Sequence, residues 1–329
     1  MRTSAARRGG DFRPQPIEQR ASALSARGRH ALDIPAARAI TRGASARGAT
    51  ARAPTRPEHA RARGVTVIVQ LSDTHLLAGG APAYGRVDTL SALRRAARHI
   101  ADLDARLGGI DAVVVSGDLA DKGEPEAYAL FREAMAEVSA PLFAIPGNHD
   151  ARAPFRDAFG GPDGETLDFA ADVGALTLIG LDTSAPGFSH GVVSAAQCAW
   201  LDSALAARPE RPAILFLHHP PFETGIGHMD AINLRAADAL AETVARHETI
   251  RLVACGHVHR TLATVWAGRP AMIAPAPCHA VRLDTRAEAP AAFDLDPGAV
   301  LVHRWTGAGL SSQTSFIDAG SGPYPFVDA

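Results

Sequence analysis

From Val65 onward the sequence predicts an α/β fold, with strands and helices alternating and the helices outside a sheet. Two observations carry this. Apolar runs of strand length recur, "VTVIVQL" at 65–71 being the first, and near-continuous apolarity marks a strand buried on both faces. Between the runs lie segments such as "VDTLSALRRAARHIADLDARL" at 87–107, where Leu and Ile recur at helical spacing with charge between. A third observation extends the prediction. Beyond residue 260 strand signals follow one another without helices, which implies a mixed or second sheet.

The elements follow in order. "DAVVVSGD" at 111–118 reads as strand then turn. "EPEAYALFREAMAEV" at 124–138 is helical, with acids in the first turn where the helix dipole favours them. "PLFAIPGNHD" at 141–150 is strand then loop, and "TLDFAADVGALTLIGLDTS" at 166–184 is two strands around Val173–Gly174. Ser194 stands where it can cap the helix "SAAQCAWLDSALAA" at 194–207. "PAILFLHHPP" at 212–221 is a strand stopped by prolines. "AINLRAADALAETVARH" at 231–247 reads as one helix and "IRLVACGHVH" at 250–259 as a strand. "TLATVWAGRPAMIAP" at 261–275 turns to β, and "AFDLDPGAVLVHRW" at 292–305 reads as a hairpin around Pro297–Gly298. The Gly- and Ser-rich residues 307–329 read as a weakly determined C-terminal tail.

Composition bounds the function. A net charge of −2 supplies no overall field toward nucleic acid or membrane. No apolar stretch reaches the length of a membrane-spanning helix. A chain of 329 residues can build its core without disulfides. Cys198, Cys255 and Cys278 are odd in number and widely spaced, which suits a reducing cytoplasm better than a disulfide framework or an all-Cys zinc site.

Residues 1–63 differ from the rest: rich in Arg, Ala, Gly and Pro, poor in acids, without apolar periodicity. Three readings stand. A disordered basic tail fits because too little apolar surface is available to offset the entropy of ordering. A transit-type peptide would share the Arg bias, although Pro and Gly oppose an amphipathic helix. The third is that the segment lies upstream of a true start near Val65. The domain that carries function is then expected over residues 64–306.

Five apolar strands end in side chains that can do chemistry. Asp73 and His75 follow the first, Asp118 the second, Asn148, His149 and Asp150 the third, His218 and His219 the fourth, His257 and His259 the fifth. Taken singly each is an ordinary turn or loop. Together they place carboxylate, amide and imidazole groups where ligands gather in open α/β sheets, outside the carboxyl ends of the strands. Gly117, Gly147 and Gly256 precede these residues, where tight turns are expected. Hard oxygen and borderline nitrogen donors without sulfur suit Mn, Fe, Co or Zn. Seven candidate ligands, Asp73, His75, Asp118, Asn148, His218, His257 and His259, exceed the needs of one tetrahedral ion. They suffice for two metals sharing a carboxylate, an arrangement that clamps the attacking and leaving oxygens of an in-line phosphoryl displacement.

The ordered blocks Asp73-Thr74-His75, Gly117-Asp118, Gly147-Asn148-His149-Asp150, His218 and Gly256-His257-Val258-His259 resemble the calcineurin-like metallophosphoesterase superfamily. The resemblance implies a fold of two mixed β-sheets in a sandwich flanked by helices, four layers in all. It implies that Asp73, His75 and His259 hold one divalent metal, that Asn148, His218 and His257 hold a second, and that Asp118 bridges them. A hydroxide held by the metals would attack phosphorus. His149 would stabilise charge or protonate the leaving alkoxide, Asp150 would orient His149, and His219 would lie in the core or behind the ligands.

Finer stretches, "YGRVDTLSALRRAARHI", "SGDLADKGEPEAYALFREAM" and "LHHPPFETGIGHMDAI", resemble the class III cyclic nucleotide phosphodiesterase and glycerophosphodiesterase branch, with "IAPAPCHAV" at 273–281 in the place of substrate-pocket residues. That implies hydrolysis of a small phosphodiester, a 3′,5′-cyclic nucleotide or a glycerophosphodiester, by a protein that forms homo-oligomers in many relatives. A phosphomonoesterase or a nuclease would use the same metals, but a nuclease needs a basic groove and the basic residues concentrate before residue 64. A scaffold without catalysis should have lost ligands, and here every one is present.

Overall fold

The computed structural model describes residues 64–318 and 322–327; the expectations for residues 1–63 lie outside the described residues. Strands β1 (Thr66–Leu71), β2 (Ala112–Ser116) and β3 (Leu142–Ile145) pair in parallel, and β12 (Ala299–Thr306) and β13 (Gly309–Phe316) extend this sheet antiparallel in the order β13-β12-β1-β2-β3. The second sheet runs β4-β5-β6-β7-β9-β8, from β4 (Phe169–Val173), β5 (Leu176–Gly180), β6 (Ala213–Phe216), β7 (Ile250–Cys255), β8 (Leu262–Trp266) and β9 (Arg269–Ile273). Its centre, β5 to β7 and β9, is parallel and both edges are antiparallel, so the sheet is mixed. A separate short pair joins β10 (Ala280–Val281) to β11 (Phe293–Asp294).

Three cores define four layers. Ile68, Val114 and Ile145 of the first sheet meet Leu178, Phe216 and Leu252 of the second between the sheets. The outer face of the first sheet packs on α1 (Thr89–Arg106), α2 (Pro125–Ala134) and α3 (Arg152–Phe159). The outer face of the second packs on α4 (Ala195–Ala206), α5 (Gly227–Asp230) and α6 (Asp238–Arg246). Strands buried on both faces need apolar residues at every position, hence the unbroken runs in the sequence. Helix α1 buries Leu93, Ala96, Ala97, Ile100 and Leu103, one face of a 3.6-residue period. Ser194 caps α4 in a reciprocal capping box with Gln197, as its position predicts. The sandwich of mixed sheets flanked by helices is therefore the fold.

Three local expectations are corrected. The segment 231–247 is not one helix. The Asp230 carboxylate accepts hydrogen bonds from Thr224 N–H, Thr224 Oγ1, Gly225 N–H and Asn233 Nδ2, which organises a turn, and α6 begins only at Asp238. Residues 292–305 do not fold back on themselves at Pro297–Gly298: β11 pairs with β10, while β12 pairs with β1. The hairpin lies at Thr306–Gly309 instead, and β13 carries the sheet past residue 306, pairing with β12 from Thr306↔Gly309 to Ala299↔Phe316. Main-chain pairing needs no apolar side chain, so a Ser- and Gly-rich segment completes the sheet.

Candidate metal centre

The parallel strands β1, β2, β3, β6 and β7 end at the same edge of the sandwich, and the loops that follow them are laced together. Asp73 N–H donates to Gly117 O and His75 N–H to Asp118 O, both at 3.0 Å, and Gly256 N–H donates to His218 O at 3.0 Å. Asp73, His75, Asp118, His257 and His259 all have φ between 45° and 74°, five of the eight described non-glycine residues with positive φ. Such backbone is sparsely populated and persists where the surroundings enforce it; at these positions it turns successive side chains toward one point. Gly117 also has positive φ, +96°, and a Cβ there would lie 2.2 Å from His218 Nδ1. Gly147 and Gly256 are not in that region, so tight-turn geometry is not their reason. A Cβ would fall 2.1 Å from Asp118 Oδ1 at Gly147 and 2.2 Å from Ser72 Oγ at Gly256.

The predicted ligands converge. Ligand atoms of Asp73, His75 and His259 lie within 4.8 Å of one another, as do those of Asp73, Asp118 and His218. Asp118 Oδ2 lies 3.6 Å from His75 Nε2 and 3.2 Å from His218 Nε2, between the two sets. Asn148 Oδ1 and His257 Nδ1 are 3.2 and 3.3 Å from His218 Nε2. The Nδ1–H of His218 donates to Ser116 O at 2.9 Å, which turns its Nε2 inward. Imidazole nitrogens face one another, His75 and His259 Nε2 at 3.1 Å and His218 Nε2 and His257 Nδ1 at 3.3 Å, so the rings converge as shared ligation of a cation would require. His257 Nε2 and His259 Nδ1 are buried without a hydrogen-bond partner. Oxygen and imidazole donors without sulfur fit divalent ions of the Mn, Fe, Co and Zn kind.

The family model of calcineurin-like phosphoesterases matches residues 66–261. The chain belongs to the calcineurin-like phosphoesterase family. A probable glycerophosphodiester phosphodiesterase of Arcobacter nitrofigilis is 38% identical over 268 residues, 80% of this chain and 97% of that protein. A cAMP/cGMP dual specificity phosphodiesterase of Mycobacterium tuberculosis is 35% identical over 243 residues, 72% of this chain and 75% of that protein. Among solved structures, a purple acid phosphatase from yellow lupin superposes with a TM-score of 0.58 at 14% identity, over 79% of this chain and 53% of its own, a likeness of fold.

The charges of this phosphoesterase site are mutually tuned. Burial alone would raise Asp118, but the His218, His149 and His75 imidazoles outweigh it and hold the carboxyl well below its usual range. Burial would lower His218, but Asp118 and then Asp73 carry it up to about 9. Burial, reinforced by His218, pushes His257 down to about 3, and burial with His75 holds His259 well below the imidazole range. His257 and His259, both predicted ligands, are thus held neutral, whereas His218 would have to release its proton on taking up a metal.

The remaining predicted residues sort by contact. His219 Nδ1 is 2.8 Å from Thr183 Oγ1 and Nε2 is 3.2 Å from Ser189 O, so both nitrogens are engaged behind the ligands, where His219 was expected. His149 donates its main-chain N–H to Asp118 Oδ1 at 2.9 Å, and its ring lies on the cavity wall. The expectation for Asp150 is corrected. Its carboxylate accepts from Leu119, Ala120 and Gly147 N–H and from Tyr128 Oη, pinning the loops after β2 and β3 together. The ring of His149 is held instead by Asp121, whose carbonyl accepts from His149 Nδ1 at 2.9 Å and whose Oδ1 accepts from His75 Nδ1 at 3.0 Å. Asp121 went unnoticed in "SGDLADKG" because an acid in a Gly-rich loop looks like a turn; its spacing of three from Asp118 was the available signal.

A cavity of about 410 Å³ opens over the centre, lined by Asp118, Asn148, His149 and the ligand imidazoles on one side and by Tyr84, His279 and Phe293 on another. The stretch 273–281 does contribute, through His279 and Val281. Tyr84 and Phe293 are additions that sequence reading did not single out.

Proposed function

We propose that this phosphoesterase hydrolyses a small phosphodiester, of the 3′,5′-cyclic nucleotide or glycerophosphodiester class, at two divalent metals. The observation that carries the reading is the Asp118 carboxylate between His75 Nε2 and His218 Nε2, which joins two sets of donors into one centre. The substrate class draws support from the names of the relatives and from the cavity, whose lining contains no Lys or Arg to take up the second charge of a phosphomonoester.

In this reading Asp73, His75 and His259 would hold one ion and Asn148, His218 and His257 the other, with Asp118 available to both. When bound, the ions supply Lewis-acid charge to the phosphoryl oxygens and lower the pKa of water. The chain does the rest. Asn148 and the imidazoles orient the phosphate beneath the cavity. His149, with Nδ1–H fastened to Asp121 O, directs Nε2 at the substrate; in its protonated form Nε2–H gives its proton to the leaving alkoxide as the P–O bond breaks. The same reading places the protein in a reducing cytoplasm, in keeping with three free thiols, and as a homo-oligomer, in keeping with exposed Leu283 and Leu295 beside the β10–β11 pair.

The test is hydrolysis by protein stripped of metal and re-supplied with Mn, Fe, Co or Zn, offered bis(p-nitrophenyl) phosphate and p-nitrophenyl phosphate in parallel. Metal-dependent cleavage favouring the diester is expected. A preference for the monoester would make the protein a phosphomonoesterase, and inactivity with every metal would overturn the catalytic reading.

A further inference from the structure

One wall of the cavity is a run of rings that leads away from the metal centre. The His279 ring meets His259 edge-on with centroids 4.5 Å apart. It also presents an edge to Tyr84 at 5.4 Å and to Phe293 at 5.2 Å. Tyr84 and Phe293 lie 5.1 Å apart with planes 32° from parallel, a tilted, offset pair leaning on one another. Offset arrangements at these distances are those in which aromatic groups attract.

Both outer rings are deliberately held. Tyr84 sits at the tip of a loop closed by a two-way pairing of Ala83 with Val87, both hydrogen bonds 2.9 Å, whose feet are buried in the core. Its φ is +53°, a conformation bulky residues seldom adopt, and its side chain is left 55% exposed. Phe293 is carried by β11, whose partner β10 is fastened by Arg260 Nε donating to Val281 O at 2.8 Å. Arg260 follows directly on His259, so the wall is built from the metal centre outward. Tyr84 thus leaves more than half of its surface to water from a strained backbone position, and a flat ligand laid on the wall would cover it.

We propose that Tyr84 and Phe293, backed by His279, form an aromatic subsite that takes a planar nucleobase-like substituent of the substrate. This rests on the proposed function in one respect: the phosphate is taken to lie over the metal ligands, with the base reaching out along the wall. The uncharged lining on this side, with Val281, Ala291 and Ala292, suits a flat heteroaromatic group.

The experiment is equilibrium dialysis of adenosine 5′-monophosphate, ribose 5-phosphate and phosphocholine, none of them a diester, against manganese-loaded protein. The expected result is adenosine monophosphate bound about tenfold or more tightly than ribose 5-phosphate, the scale of one base stacked on a ring. Tyr84→Ala and Phe293→Leu should each shrink that ratio toward one, and Tyr84→Phe, which keeps the ring, should retain it. A ratio near one in the unaltered protein, a ratio untouched in both ring-removing variants, tighter binding of phosphocholine, or no measurable adenosine monophosphate binding would each overturn the subsite. Dialysis reads binding and not turnover, so a preference for the base in a protein that cleaves no diester would retire the catalytic reading and leave the subsite standing.

Discussion

The carboxylate of Asp121 lies 3.0 Å from Nδ1 of His75, and this contact decides which nitrogen His75 turns toward the metal centre. With Nδ1–H donated to the carboxylate, Nε2 is left as the ligand atom facing Asp118 and His259. The same residue holds the His149 ring through its main-chain carbonyl, so one loop position orients both a predicted ligand and the proposed proton donor. Asp121→Ala should weaken metal binding or turnover by roughly 10–100-fold, the usual cost of losing a carboxylate behind a ligand histidine. Asp121→Asn, which keeps an acceptor for His75, should fall between. Manganese titration followed by electron paramagnetic resonance separates affinity from rate, and unchanged affinity and rate in Asp121→Ala would remove the assignment.

His149 is expected to act on the leaving group and not on the metals. His149→Ala should keep the full metal content while turnover falls by about 10²–10⁴-fold, the range of a general acid. The loss should be steepest for alkyl diesters and mildest for nitrophenyl diesters, whose leaving groups need no proton. Elemental analysis beside rates on both diesters checks this; loss of one metal equivalent would make His149 a ligand.

Asn148 tests the second metal position. Its Oδ1 is 3.2 Å from His218 Nε2, so Asn148→Ala should weaken binding of one ion and activity together. Metals that bind only the folded chain stabilise it, by about 2.7 kcal/mol per site at a hundredfold excess over Kd. The metal-induced rise in melting temperature should therefore shrink in the variant. An undiminished rise would place Asn148 outside the ligand set.

Asp150 separates a structural role from a chemical one. Removing its carboxylate strands three main-chain N–H groups and the Tyr128 hydroxyl. Each buried group left unsatisfied costs about 1–3 kcal/mol. Asp150→Ala should thus lower stability by about 3 kcal/mol or more in urea unfolding. The steep dependence on leaving group predicted for His149→Ala should not appear in it; if it does, Asp150 orients His149 after all.

What was legible in the sequence follows from where chemistry leaves a mark in residue type. β1, β2 and β7 are buried along nearly their whole length, Arg251 of β7 being exposed, so their apolar runs are nearly continuous, and Asp118 or His257 stands out just beyond them. β13 was missed because its partner β12 reads its main chain, and Ser311 to Ser315 advertise nothing. Asp230 broke a helix that the apolar spacing favoured, through four hydrogen bonds to residues within six positions. Tyr84, His279 and Phe293 come from loops nearly 200 residues apart, and only the closing of the two sheets brings them to one wall. Asp150 shows the converse: adjacency to His149 suggested a partnership that the loop geometry directs elsewhere.

His303 supplies a test of the fold far from the chemistry. It is wholly buried on β12, with Nδ1 2.8 Å from Ser312 Oγ of the unforeseen strand β13 and Nε2 3.1 Å from Gln70 Oε1 on β1. Burial pushes its imidazole down to about 4, against about 6.5 in an unfolded chain. Between those values the unfolded chain holds the proton and the folded one does not, so stability rises with pH there and is lost as pH falls from about 6.5 toward 4. At pH 5 the loss should be about 2 kcal/mol relative to pH 8 from this group alone. His303→Gln keeps a hydrogen-bonding side chain but cannot take up the proton. Its stability, read from urea midpoints at pH 8 and pH 5, should therefore drop less over that interval than that of the unaltered protein, even if it starts lower. The histidines of the metal centre titrate alike in both proteins and cancel in the comparison. Equal drops would mean that His303 carries its proton in the folded state as readily as in the unfolded chain.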